Sequence, residues 1–183
     1  MEIGSMLVML AAAVEDVYEG YEAAGLSILE LGNMLAMIGA ILAVALTGAG
    51  SAIGMSWVQQ AAGGMVTEQP EKFGKTLILQ LIPSSAALYG FVVGFLVLMQ
   101  AVLGDGYGYT AVEGLTILVA CLPIAIVGFF ATLAQAKVCV SGVRMIGKDE
   151  SMSGRAITMS VFIELFTLFA LIVSVLSVFS IGG

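Results

Sequence analysis

Glu164 interrupts the apolar run VFIELFTLF (161–169), and no other charged residue stands between Ala156 and Gly183. An ionised carboxylate at the centre of a bilayer costs at least about 2.5–3.5 kcal/mol. It persists there only if it is protonated, paired or coordinating a cation. Two other polar side chains lie at matching depth. Glu164 is eight residues in from Ala156, Gln135 is nine in from Arg144, and Ser85 is nine in from Thr76. At about 1.5 Å per helical residue, all three sit roughly 12–14 Å below the same surface. A carboxylate, an amide carbonyl and a hydroxyl gathered at one level can bind a small hard cation, or hold a proton on the carboxylate. Tyr89 lies one turn from Ser85 and can donate its hydroxyl to Glu164. Pro83 removes one helical N–H and leaves a carbonyl a turn earlier without its partner. Each of these has a plain structural alternative: Ser85 bonding back to its own helix, Pro83 only kinking it, Tyr89 packing, and Glu164 as a protonated link between helices.

The elements that carry these residues follow from composition. Of the 183 residues, 60% are hydrophobic and 10% charged, and mean hydropathy is +1.10. A water-exposed domain carries about 25% charged residues, so the chain reads as an integral membrane protein. Thirteen acids face six bases, and histidine is absent. That excludes imidazole metal sites and histidine-based catalysis, and the acidic balance gives nucleic acid no footing. Cys121 and Cys139 are 18 positions apart on one expected helix, about 27 Å, which is too far for a disulfide.

Four stretches are long enough to cross about 30 Å of hydrocarbon as helices: Asn33 to about Met65, Thr76 to Leu103, Gly114 to Val143 and Ala156 to Ile181. Short connectors at 66–76, 104–113 and 144–155 make neighbouring helices antiparallel. The expected fold is an all-α membrane protein of two tandem hairpins, 32–103 and 114–183. The stretch 1–31 precedes them as an amphipathic or interfacial extension, with a removable leader as the alternative. Lys72, Lys75, Arg144, Lys148 and Arg155 lie in or beside the first and third connectors, while the middle connector and both chain ends have no base. Positive-inside reasoning puts loops 66–76 and 144–155 in the cytoplasm and both termini outside a cell membrane. Lys137 lies within snorkelling reach of the cytoplasmic interface. Trp57 and the Tyr107–Tyr109 pair fit aromatic belts at opposite surfaces.

Displacing the chain by 80 positions aligns the hairpins without a gap: Gly48 meets Gly128, Val58 meets Val138, Gly74 meets Gly154 and Lys75 meets Arg155. The chain reads as one hairpin duplicated and fused. Glu164 faces Ser84 in this alignment, so one carboxylate serves four helices. Met34–Ser56 has 13 small residues in 23, whereas Ile157–Phe179 has six and four phenylalanines. Small faces allow close helix packing where lipid gives no hydrophobic drive. Thin first helices beside thick second ones suit a cylinder with a crowded inner layer, and a compact bundle with one glycine-rich seam suits them equally.

The segments EQPEKFGKTLILQLIPSSAALYGFVVGFL (68–96), LPIAIVGFFATLAQAKVCVSG (122–142) and VFIELFTLFALIVS (161–174) closely resemble the second, third and fourth helices of the proteolipid rotor subunit of bacterial V/A-type ATPases. The resemblance covers about Gly32 to the C-terminus. It implies a closed ring of identical subunits turning against a membrane stator subunit whose arginine faces Glu164, with central-stalk subunits at the cytoplasmic loops and lipid around the ring. It implies that Glu164 is the essential carboxylate, that Gln135, Ser85 and the Ile82 carbonyl are ligands if the ion is Na⁺, and that Tyr89 bonds the glutamate. No covalent cofactor is implied. One position departs from the sodium-binding pattern: Ala86 stands where a glutamine is expected, so Thr167 or water must supply that oxygen. Retained Gln135 and Ser85 favour Na⁺ narrowly over H⁺. The chain has no GxxxxGK[ST] motif, so ATP chemistry belongs to partner subunits and the chain is no enzyme by itself. The reading expects an ATP-driven pump. Its rivals are a small proton-coupled multidrug exporter and a structural membrane-assembly protein.

Overall fold

A hydrocarbon layer offers no partner for backbone N–H and C=O groups, so a single-chain segment crosses it only as a helix that bonds internally. The computed structural model describes residues 28–103 and 109–181, together with 12, 15 and 16. Every regular element among them is helical. Helix α1 spans Ile28–Glu68, α2 Phe73–Leu81, α3 Ser85–Leu103, α4 Ala111–Lys148 and α5 Ser153–Phe179. Short 3-10 turns at Pro70–Lys72, Ile82–Ser84 and Glu150–Met152 join them. Four helical stretches are long and apolar enough to span: Glu30–Glu68, Pro70–Ala101, Ala111–Lys148 and Glu150–Phe179.

The helices outrun the apolar stretches that define the expected spans. Only Gln69 and Asp149 break the helical backbone at the two basic connectors. Pro70, whose missing N–H is harmless in a first turn, reopens the helix after Gln69. Asp149 does so through its side chain, which accepts the Ser151 N–H at 2.9 Å. At the opposite end Thr110 and Glu113 form a reciprocal capping box that starts α4. Residues 28–31 of the expected extension belong to α1. The rest of that extension, apart from 12, 15 and 16, lies outside the described residues, as does 104–108 with Tyr107.

The 80-residue displacement is realised as packing. Helices α1 and α4 run parallel, and their contacting pairs lie 78 to 82 positions apart: Gly39 on Leu118, Gly50 on Phe129, Thr47 on Gly128, and Gly54 on Thr132 and Ala136. A methyl group at Gly39 would lie 2.8 Å from the Leu118 Cα, and one at Gly50 would lie 3.0 Å from the Phe129 Cα. Glycine is what lets these backbones close. Helix α3 packs on α1 through Gly90 and Gly94, which abut Thr47, Ala40 and Val44. Helix α5 packs mainly on α4, and α3 meets α5 only narrowly. The small-residue helices are thus the central pair and the bulky ones flank it. Phe162, Phe166 and Phe169 of α5 are exposed. Cys121 and Cys139 are free and buried. Pro123 lies inside α4 without ending it, and the next N–H, at Ile124, donates to the Ser174 hydroxyl at 3.2 Å.

Candidate functional site

Glu164 sits midway along α5, half-buried, where α5 and α3 come together. The Tyr89 hydroxyl donates to Glu164 Oε1 at 2.7 Å. This is the short range of a hydrogen bond to a charged or strongly polar acceptor. Among the described residues no base pairs with Glu164. The carboxyl group is therefore held by a neutral donor, and its other oxygen accepts no hydrogen bond among the described residues.

Backbone chemistry just before Tyr89 sets the rest of the wall. Pro83 has no N–H to give, so the chain tightens into a 3-10 turn over Ile82–Ser84. The Ile82 carbonyl accepts the Ser85 N–H and, at 3.0 Å, the Ser85 hydroxyl. With its hydrogen spent on Ile82, Ser85 Oγ keeps its lone pairs for another partner. The Ile82 oxygen, by contrast, is already engaged twice.

Gln135 is buried between α4 and α5, and its Nε2 donates to the Ser160 carbonyl at 3.3 Å. Ser160 is one turn before Glu164, so Gln135 reaches the neighbourhood of the carboxylate without bonding to it. The amide Oε1 accepts no hydrogen bond among the described residues. Ser160 also accepts from the Cys139 thiol at 3.3 Å and donates to the Ala156 carbonyl at 3.0 Å. Sequence reasoning does not single out Ser160, although its place four residues before Glu164 is a signal for it. Ala86 is buried and brings no polar atom, while Thr167 is buried one turn beyond Glu164.

The arrangement joins Glu164 to Tyr89 directly, and places Gln135, Ser85 and the Ile82 carbonyl on the elements around them. No cluster of three or more His, Cys, Asp or Glu exists among the described residues. A cation here would meet one carboxylate and neutral oxygens, a set suited to a hard monovalent ion or a proton and unsuited to zinc or iron.

A family model for the C subunit of ATP synthase matches the chain twice, at 38–97 and 118–177. Both ends of the second match are displaced by the same 80 residues that separate the hairpins. The chain is similar to the V-type sodium ATPase subunit K of Enterococcus hirae, 36% identical over 147 residues covering 80% of this chain and 92% of the relative. It is also similar to the A-type ATP synthase subunit K of Methanocaldococcus jannaschii, 30% identical over 143 residues covering 78% of this chain and 61% of the relative. Two copies of that family's hairpin, fused in one chain and packed in the register of their own repeat, make this protein a member of the ATP synthase C-subunit family, a non-catalytic proteolipid subunit of the V/A-type ATPases.

Proposed function

We propose that the chain is a ring subunit of a rotary V/A-type ATPase, and that Glu164 carries one ion per subunit across the membrane. Loaded with H⁺ or Na⁺, the carboxyl group is neutral and can face lipid while the ring turns. Empty, it is an anion that must meet water or a stator arginine, because bare exposure at mid-bilayer costs about 2.5–3.5 kcal/mol or more. Rotation with the ion aboard is allowed and rotation without it is blocked. Lifting one charge against 100 mV costs about 2.3 kcal/mol. One carboxylate per four helices means fewer ions per turn and a steeper gradient overcome per ATP, which favours pumping over synthesis. Partner subunits supply the ATP chemistry and dock on the connectors 66–76 and 144–155, which face the cytoplasm, with both termini outside.

The observation that carries this reading is the bond from Tyr89 to Glu164, which crosses from the first hairpin to the second. It fixes a lone acid in an apolar span without neutralising it, so an ion can still load and leave. Na⁺ is the preferred ion. Ser85 Oγ and Gln135 Oε1 serve as its neutral ligands, a reading supported by their bonds on the elements beside Glu164 and by the Enterococcus relative, which bears the name of a sodium ATPase. Ile82 joins them as a ligand once the Ser85 hydroxyl turns away, and Thr167, buried one turn beyond Glu164, or water supplies the oxygen that Ala86 lacks.

Carbodiimide labelling of Glu164 across pH, with and without sodium, tests both halves. Sodium-suppressed labelling is expected. Labelling that follows pH alone would move the assignment to H⁺, and no reaction at Glu164 would remove it as the carrier.

A further inference from the structure

Thr47 of α1 is gripped by two glycines. A methyl group at Gly90 of α3 would strike its hydroxyl, and one at Gly128 of α4 would meet its Cγ2. Helix α1 runs parallel to α4 and antiparallel to α3, and four residues make about one helical turn. One turn nearer the basic connectors, the same three-helix junction therefore brings together Ser51 of α1, Ala86 of α3 and Thr132 of α4. All three are buried. Gly54 packed on Thr132, and the Ile82–Ser84 turn packed on α1, keep this register.

Ser51 is 3% exposed, and its Oγ has no hydrogen-bond partner among the described residues. A buried hydroxyl in that condition is costly. Thr47 and Thr132 avoid the cost by donating to the Ala43 and Gly128 carbonyls, each at 2.7 Å. Thr132 Oγ1 thereby keeps its lone pairs, whereas Ser51 keeps both its hydrogen and its lone pairs. The junction borders the ion ligands: Ala86 follows Ser85, and Thr132 is one turn from Gln135. We propose that Ser51 is a positioning residue for the ion, its hydroxyl and that of Thr132 holding a water molecule that ligates Na⁺ over Ala86. This rests on the reading of Glu164 as a sodium carrier. A buried water needs two to four polar partners, and Ser51, Thr132 and the cation supply three. A hard cation accepts such an oxygen as a ligand, while a proton on Glu164 has no use for it. Ser51 thus acts on sodium affinity and not on protonation.

Carbodiimide labelling of Glu164 in vesicles carrying the whole complex, titrated with sodium and separately with pH, reads the two quantities apart. Ser51→Ala should raise the sodium concentration for half-protection about ten-fold, as expected for one lost hydrogen bond. The pH midpoint of labelling without sodium should stay where it is. Thr132→Val should have the same effect, and Thr132→Ser should keep the original sodium response. Ser56→Ala is the control on α1: that hydroxyl is exposed and donates to the Ile53 carbonyl at 2.7 Å, so its loss should change neither quantity. Unchanged sodium protection in Ser51→Ala or Thr132→Val overturns the proposal. An equal shift in Ser56→Ala, or a pH midpoint that moves together with the sodium response, also overturns it, because either would mark a general disturbance of packing. Absence of sodium protection in the unaltered chain would instead overturn the sodium reading, and the water ligand with it.

Discussion

Tyr89 and Glu164 stand 75 positions apart in the chain and 2.7 Å apart in space. The same separation recurs between these two spans where Lys75 pairs with Glu150. The second and fourth spans therefore run parallel in one register from the basic connectors to the middle of the bundle, and the phenol meets the carboxylate because that register is kept. A hydrogen bond to a charged group contributes about 1.5–3 kcal/mol. Tyr89→Phe should raise the sodium concentration that half-protects Glu164 from carbodiimide by about ten- to a hundred-fold. An unchanged half-protection point would show that the bond contributes nothing to ion retention.

Glu164→Gln keeps the size and the hydrogen-bonding acceptor of the side chain but cannot ionise. ATP-driven sodium uptake into vesicles carrying the whole complex should be lost, while the protein still assembles and keeps its helical content. Uptake at wild-type rate would return the acid to the role of a structural link.

Two glycines that abut Thr47 should respond differently to a second change. A methyl group at Gly128 would lie 2.7 Å from the Thr47 Cγ2, the end of a side chain. At Gly90 it would strike the Thr47 hydroxyl and also lie 2.5 Å from the Ala43 backbone carbonyl. Overpacking of this kind costs about 1–3 kcal/mol. Gly128→Ala should lower the thermal midpoint and be rescued by Thr47→Ser, which deletes Cγ2 and keeps the 2.7 Å hydroxyl bond to the Ala43 carbonyl. Gly90→Ala should lower it without rescue. Rescue of both, or of neither, would contradict the packing of α1 against α3 and α4.

Asp149 is held below its ordinary value of 3.8, first by the Ser151 backbone N–H and then by the Ser151 side chain. A depressed carboxylate contributes order above the ordinary range and loses it as pH falls through the lowered value. The Ser151 amide proton signal should therefore titrate with a midpoint below 3.8, and Asp149→Ala should remove the transition. A midpoint at or above the ordinary value would mean that the turn at Asp149 is not closed by its side chain.

Much of this molecule was written in its composition. Bilayer physics forbids unpaired charge and unpaired backbone, so four apolar stretches had to be helices, and Glu164 had to stand out among them. The 80-residue repeat was legible because the polar punctuation of the loops recurs with it. Helix ends were less legible: hydropathy marks where side chains stop being apolar, but backbone bonding continues to Glu68 and Lys148 until Gln69 and Asp149 interrupt it. Contacts between helices were decided only in three dimensions. Depth arithmetic put Gln135, Ser85 and Glu164 at one level but fixed no rotation about the helix axes. Rotation turned Gln135 toward Ser160, Tyr89 toward Glu164 and Lys137 toward Trp57. It was set by which glycines let two backbones close, a property of both partners at once.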